Sequence, residues 1–271
     1  MSLLSWIIVF SLLGGVISVI AASVFLLIKD KHQHIILPHT VSFAIGALLG
    51  AALLAILPHA LSIDKNIDFH DIGLTLLIGL LGFFLLEKMV LWRHCHSSHC
   101  EVHTPAEVHN DKDSSEHHHA HGKDASGALI IIGDAVHNLV DGVLIATAFM
   151  TDIDLGIVTA LAVASHEIPQ EIGDFAILLH SGYSRKRALF FNLLASLATL
   201  VGAIIAYYSL QGMQHALPYI LTIAASSFIY IAVADLIPGL HQKTELKETL
   251  QQMTLIVLGV VTVYWAHSAL H

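Results

Sequence analysis

Two stretches decide the reading of this chain: GALIIIGDAVHNLVDGVLIATAFM at 127–150 and DLGIVTALAVASHEIPQEIGDFAILLHSG at 154–182. Each is long and apolar enough to cross a bilayer as a helix, which takes about 20 residues. Each also carries groups that hydrocarbon rejects. A charge at the bilayer centre costs about 3 kcal/mol on insertion scales, so every such residue is a functional candidate. On the first stretch, Asp134, His137, Asn138 and Asp141 recur at spacings of three and four and form one helical stripe. On the second, His166 and Gln170 are one turn apart, as are Glu167 and Glu171, and Asp174 extends that face. At about 1.5 Å per residue, His137 lies about 15 Å and His166 about 18 Å from the start of its helix. In a hydrocarbon core of about 30 Å, both imidazoles sit near the midplane.

Imidazole and carboxylate at one depth suit a divalent metal ion: zinc, and also iron or manganese. A cation would offset the desolvation of Asp141, Glu167 and Glu171, because neither stretch contains a Lys or Arg to pair with them. Pro169 cannot donate to the Ser165 carbonyl, which frees an oxygen in the same region. Three other readings compete. Ser, Asn and His also serve as polar contacts between membrane helices. HEIPQ approaches the H-E-x-x-H helix of metalloproteases, which would make the chain an intramembrane metal-dependent hydrolase. Its fifth position, however, is Gln170, and a proline interrupts it. A membrane receptor that binds metal without moving it would have no need of ligands halfway through the bilayer.

Working outward, composition agrees with a membrane protein. Of 271 residues, 55% are hydrophobic and 12% charged, and mean hydropathy is +0.74. Soluble domains carry about 25% charged residues. Only 12 Lys and Arg stand against 21 Asp and Glu, which excludes a nucleic-acid binder. No phosphate-binding G-x-x-x-x-G-K-[ST] occurs, so nothing supports ATP-driven pumping. Apolar runs at 3–28, 39–61, 71–92, 127–150, 154–181, 187–210, 216–239 and 248–269 predict an all-α, polytopic membrane protein of eight transmembrane helices. The first run has no basic leader and is too long for a cleavable signal. Residues 1–92 hold three helices, 93–126 a polar connector and 127–271 five more, one membrane domain overall. The connectors alternate sides, with eleven of the twelve Lys and Arg on one side and only Lys65 on the other. By the positive-inside rule, the 93–126 connector is cytoplasmic and both termini are outside, with the cell's inner membrane as the expected location. Trp6 and Trp265 then fall near the outer interface and Trp92 near the inner one. Nine of the chain's 21 His, with Cys95 and Cys100, lie between 94 and 121. HCHSSHC (94–100) and HHHAH (117–121) read as a disordered cytoplasmic metal buffer or sensor, outside the pore.

HNLVDG (137–142) and HEIPQE (166–171) resemble the paired motifs of the ZIP (Zrt/Irt-like) metal-ion transporters, in the branch whose fifth segment reads HExPHE. LPHAL (57–61) and FIYIAVADLIP (228–238) are similar to that family too, and the likeness spans essentially the whole chain. The resemblance implies a two-metal centre between helices four and five. His137, Asp141, His166 and Gln170 would surround a first ion. Asn138, Asp141, Glu167 and Glu171 would lie at a second, with Asp141 bridging. Three features depart from the pattern. Gln170 stands where the signature has His, Ala51 and Ala55 occupy a stretch usually bearing ligands, and the sixth segment offers only Asn192 and Ser196. The resemblance further implies a transport bundle of segments one, four, five and six. This would slide like an elevator against a dimerising scaffold of two, three, seven and eight. The substrate implied is Zn²⁺, with Fe²⁺, Mn²⁺ and Cd²⁺ admitted by the same ligand types, moved into the cytoplasm without enzymatic chemistry or an organic cofactor. The partners are the lipid bilayer and a second copy of the chain.

Asp134, Asp174 and His180 are placed by sequence on the cytoplasmic side of the centre, as an exit relay or as helix-packing residues. His59 and Asp235 read as route ligands or as helix-end polarity. Gly46, Gly50, Gly79 and Gly82 are expected to permit close helix packing.

Overall fold

The computed structural model describes residues 1–28, 30–63, 67–95, 120–241 and 245–270. Eight helical spans follow one another. α1 is Leu3–Phe25, broken at Gly15. α2 stacks Asp30–Gly50, Ala51–Ile56 and Leu57–Ser62 end to end. α3 is Phe69–Cys95, α4 Ala120–Thr151, α5 Ile153–His180 and α6 Arg185–Ser209. α7 stacks Leu217–Tyr230, Ile231–Leu236 and Ile237–Leu240, and α8 is Leu246–Leu270. Seven of these are long and apolar enough to span a membrane. The other is α5, whose hydropathy is lowered by the His, Gln and carboxylates at 166–174. The boundaries of the polar connector differ from 93–126, since α3 runs to Cys95 and α4 starts at Ala120. A helix needs no hydrocarbon to continue past the interface. The remaining His-rich stretch, 96–119, lies outside the described residues.

Local chemistry sets the turns. Asp152 ends α4 and caps α5, its Oδ1 accepting from the N–H groups of Asp154 at 2.8 Å and Leu155 at 3.0 Å. The two site helices therefore reverse direction across a single residue. Asp68 starts α3 in the same way: the His70 backbone N–H donates to its Oδ1 at 2.9 Å, which holds the carboxyl below its usual range. Gly182 closes the α5–α6 turn at φ 92°, where a side chain would be strained.

Two groups of helices emerge from the packing. α4 lies along α6, and α1 packs on α4, α5 and α6; α2 lies along α8, and α3 along α7. α5 bridges the groups, touching α2 and α8 as well as α1 and α4. Small residues make the close approaches. A methyl at Gly142 would run into the Thr199 carbonyl, and one at Gly202 into that of Leu139, so α4 and α6 meet backbone to backbone. Gly46 and Gly259 do the same for α2 and α8, and Gly79 sits on Ser226 of α7. Gly50 also faces α8, at Val260. Gly82 faces open space, so of the four glycines singled out only this one has no packing role.

α2 and α7 are copies of one design. Each carries a Leu-Pro pair, inside the helix at Pro38 and at its start at Pro218, and passes through a π-helical stretch. Each then reaches a second proline (Pro58, Pro238), with every landmark in α7 180 residues after its counterpart in α2. Gly46 corresponds to Ser226, and Gly79 to Gly259, so the α2–α8 and α7–α3 contacts are equivalent. Four spans, α3 to α6, lie between the copies, an even number, so the copies run in opposite directions, as in inverted-repeat transporters.

Candidate metal centre

The short α4–α5 turn brings the two polar stripes face to face. His137 and His166 point their Nε2 atoms at each other, 3.3 Å apart, with the rings nearly perpendicular. Asp141 Oδ2 lies 3.2 Å from His166 Nε2 and 3.7 Å from His137 Nε2. Glu167 Oε1 lies 3.3 Å from His137 Nε2 and 3.7 Å from His166 Nε2. All four atoms fall within 4.8 Å of one another. A tetrahedral zinc ion with bonds of about 2.0–2.2 Å has ligand–ligand edges of about 3.3–3.6 Å. Five of the six edges of this set, at 3.2–3.7 Å, lie within about 0.1 Å of that range.

The donors are poised for a cation. His166 donates from Nδ1 to the Ala162 carbonyl at 3.2 Å, which leaves its Nε2 lone pair turned into the cluster. His166, Asp141 and Glu167 are fully buried, and both oxygens of each carboxylate lack a hydrogen bond. Phe228 of α7 closes over the His166 ring edge to face at 6.1 Å.

Access is one-sided. Toward the turn, Leu144, Ile145, Ala148 and Phe149 of α4 and Leu155 and Val158 of α5 form a dry apolar seal with α2 and α7. Toward the other end, where α3 stops and α4 begins, polar residues continue from the cluster. Asp134 and Glu171 are buried, Asp174 is half-buried, and His180 and Asp235 are exposed. His137, 22% exposed, is the wetted edge of the cluster.

Of the seven ligands expected from sequence, four converge: His137, Asp141, His166 and Glu167. Glu167 joins the first cluster directly. Gln170 lies one turn beyond His166, half-buried, and the tetrahedron is complete without it. Glu171 is buried one turn past Glu167, and neither of its carboxylate oxygens takes a hydrogen bond. The Asn192 amide of α6 donates at 3.3 Å to the Glu171 backbone carbonyl. Asn138 is engaged elsewhere. Its Oδ1 accepts from Thr199 Oγ1 at 2.7 Å, and its Nδ2 donates to Asp134 Oδ1 at 2.8 Å. Thr199 escaped the sequence reading, since a lone Thr in an apolar helix carries no local signal. Ser196 turns back to the Leu193 carbonyl of its own helix, and His180 to that of Ala176. Ala51 and Ala55 are buried in the core.

Buried imidazoles and carboxylates converging on an ion-sized space, in an all-helical chain with membrane-spanning helices, define a metal-handling membrane protein. Comparison with known proteins narrows this further. Residues 2–265 match the family model described as ZIP Zinc transporter, and the chain belongs to that family. It is similar to Zinc transporter ZIP13 of Pongo abelii, 30% identical over 237 residues, covering 83% of this chain and 65% of that protein. Zinc transporter zipt-7.1 of Caenorhabditis briggsae is 32% identical over 311 residues, 94% of this chain and 78% of the relative. Zinc transporter YKE4 of Saccharomyces cerevisiae is 29% identical over 249 residues, 85% and 71%. These relatives are named as transporters, not enzymes, which removes the hydrolase reading. The geometry agrees: a metalloprotease keeps the Glu of H-E-x-x-H off the metal as general base, whereas Glu167 stands among the four converging groups.

Proposed function

We propose that this chain carries Zn²⁺ into the cytoplasm, with His137, Asp141, His166 and Glu167 as the ligands of the transported ion. The observation that carries this reading is the set of five edges between 3.2 and 3.7 Å. Two neutral nitrogens and two carboxylate oxygens form a neutral complex with a divalent ion, which reduces the cost of holding it in hydrocarbon. Fe²⁺, Mn²⁺ and Cd²⁺ share enough of this ligand chemistry to compete. Glu171 and the second oxygen of Glu167 offer further buried acceptors for a second ion, with Asn138 held back by Thr199 and Gln170 at the margin of the first.

Direction follows from the charge bias of the connectors, which puts the His-rich stretch in the cytoplasm and the termini outside. In that orientation the site is wetted from the cytoplasm and sealed from outside, a state poised for release. The cell's inner membrane is the location this orientation fits. α1, α4, α5 and α6 would move as one body against α2, α3, α7 and α8, exchanging the seal from one face to the other. The α3 and α8 spans bury only 11% each, against 61% for α2, so their outer faces meet lipid and a second copy of the chain. The test is zinc uptake into proteoliposomes, with bound zinc counted on the same preparation. Concentrative or facilitated Zn²⁺ flux is expected, abolished by His137→Ala; binding without flux would leave only a receptor.

A further inference from the structure

We infer that the start of α6 binds the headgroup of an anionic phospholipid, in the leaflet on the side of the His-rich stretch. Arg185, Lys186 and Arg187 are the first three residues of this helix, and all three are exposed. Nowhere else in the chain are three consecutive residues cationic. No Asp or Glu occurs from 175 to 234, and none of the three meets a carboxylate among the described residues. Elsewhere on this face the cations alternate with acids. Lys29 and Lys31 flank Asp30, Lys88 follows Glu87, and Lys243 and Lys247 are interleaved with Glu245 and Glu248. The positive-inside rule asks only for cations on one side of the bilayer. It does not ask for three together with nothing to neutralise them.

The surface below the run is a lipid contact. Phe190, Leu194, Leu197, Val201 and Ile205 are exposed and recur at spacings of three and four, one stripe down α6. Another side of the helix is taken up by α4, at Gly202. Lys186 and Arg187 are four and three residues before Phe190, so they stand at the head of the stripe. Phe190 lies about 7.5 Å along the helix from Arg185, the step from a headgroup to the upper acyl chain. A molecule that complements both surfaces has a negative head on hydrocarbon tails. The turn before the run is packed in place. Tyr183 meets Phe191 at 5.6 Å, Phe191 meets Phe190 at 5.6 Å, and the Ser184 hydroxyl accepts from the Arg187 N–H at 3.4 Å. The cations are therefore presented from a fixed end, at little ordering cost. Because α6 lies along α4, a lipid held here is anchored beside the helix that carries His137 and Asp141. The inference does not depend on the transport reading.

The test uses the purified full chain in vesicles of phosphatidylcholine and phosphatidylglycerol, with bromine on the acyl chains of one lipid or the other. Phe190→Trp places a reporter at the head of the stripe, read as the quenching it adds over the parent's Trp6, Trp92 and Trp265. A cation beside an anionic leaflet is worth about fivefold in affinity. At the reporter, phosphatidylglycerol should be preferred over phosphatidylcholine by about fivefold or more. Arg185→Gln/Lys186→Gln/Arg187→Gln should bring the preference below about twofold, and Arg185→Lys/Arg187→Lys should keep it. Salt at about 1 M, where the Debye length is about 3 Å, should abolish it without any substitution, which covers a triple variant that fails to insert. Leu250→Trp, exposed near the start of α8 beside Lys247, measures general attraction to the leaflet and should show less than about twofold preference. Equal preference at the two reporters, none at the α6 reporter, or a preference that survives the triple substitution or the salt overturns the site. Adding His137→Ala should abolish zinc uptake and leave the lipid preference unchanged, so failure of this site and failure of the transport reading are told apart.

Discussion

His166→Ala against Gln170→Ala is the sharpest discrimination the structure permits. Both residues lie on one face of α5 and are one turn apart, and the ligand pattern of the family gives both a place at the first ion. His166 Nε2 is one corner of the tetrahedron, whereas Gln170 is half-buried one turn beyond it. Structural zinc sites bind with about 10–16 kcal/mol, or about 2.5–4 kcal/mol for each of four ligands. Each 1.4 kcal/mol is about tenfold, so deleting His166 should weaken zinc binding by about two to three orders of magnitude. The void beside Phe228 adds a stability cost, so thermal unfolding must be followed in parallel. With four ligands already in place, deleting Gln170 should change affinity by less than about threefold, under 1 kcal/mol. The assay is initial-rate radiozinc uptake across a concentration series. Visible absorption of the cobalt-loaded protein gives the geometry: the intense tetrahedral bands should disappear in His166→Ala and persist in Gln170→Ala. Equal losses in both variants, or retention of tetrahedral cobalt without His166, would refute the four-ligand assignment.

Four further outcomes follow. Gly202→Val should drive a side chain into the Leu139 carbonyl and destabilise the α4–α6 pair by about 1–3 kcal/mol in thermal unfolding, while Gly82→Ala, facing open space, should be silent. Thr199→Val should cost about 1 kcal/mol by stranding the Asn138 oxygen and should lower zinc uptake modestly, with Thr199→Ser restoring it; full activity of the valine variant would show that the Asn138 tether is dispensable. Deleting 94–121 should leave the saturated rate of zinc uptake largely intact and alter only its regulation; complete loss of uptake would put that segment in the pathway. Uptake should fall as cytoplasmic-side pH falls, because protons compete with zinc for the imidazoles on the wetted side; flux indifferent to pH at fixed voltage would count against this.

Much of this was written locally in the sequence. Hydrophobic runs set the spans, and spacings of three and four put His137 and Asp141 on one face and His166 and Glu167 on adjoining positions of another. Residues brought together from far apart were not legible in this way. Which oxygen faces which nitrogen depends on the rotation of α4 against α5, and that is set by Asp152 at the turn and by the Gly142 and Gly202 contacts with α6. Asn138 reads as a ligand because its neighbours are ligands, yet Thr199, 61 residues away, takes its oxygen. Gln170 reads as a ligand only through the family signature, and it lies half-buried one turn beyond His166. The α2–α7 repeat did leave a trace, two Leu-Pro pairs at matching positions, although the intervening residues differ too much for alternation or periodicity to reveal it. The antiparallel relation of the copies is the part most closely tied to transport.

The helix least suited to hydrocarbon explains the asymmetry of the site. α5 brings two glutamates and a histidine into a dry environment with no Lys or Arg beside them. Each buried carboxylate forfeits several kcal/mol of hydration unless a cation or a donor replaces it. In the seal, made of Ala, Leu, Ile and Phe, nothing can do so, and an ion there would be stranded. On the opposite side, Asp174 is half-buried and Asp235 exposed, so an ion leaving the cluster that way would exchange carboxylate for solvent in steps. If these four groups hold the transported ion, they must bind strongly enough to strip it of water on one side and weakly enough to return it on the other. A fixed site cannot meet both demands, because its affinity is the same whichever face it was loaded from. The demand is met if the seal changes sides while the ligands stay together. The tetrahedron is built on α4 and α5, while Phe228, which closes it, comes from α7 of the other group of helices, the division that such a change of sides would need.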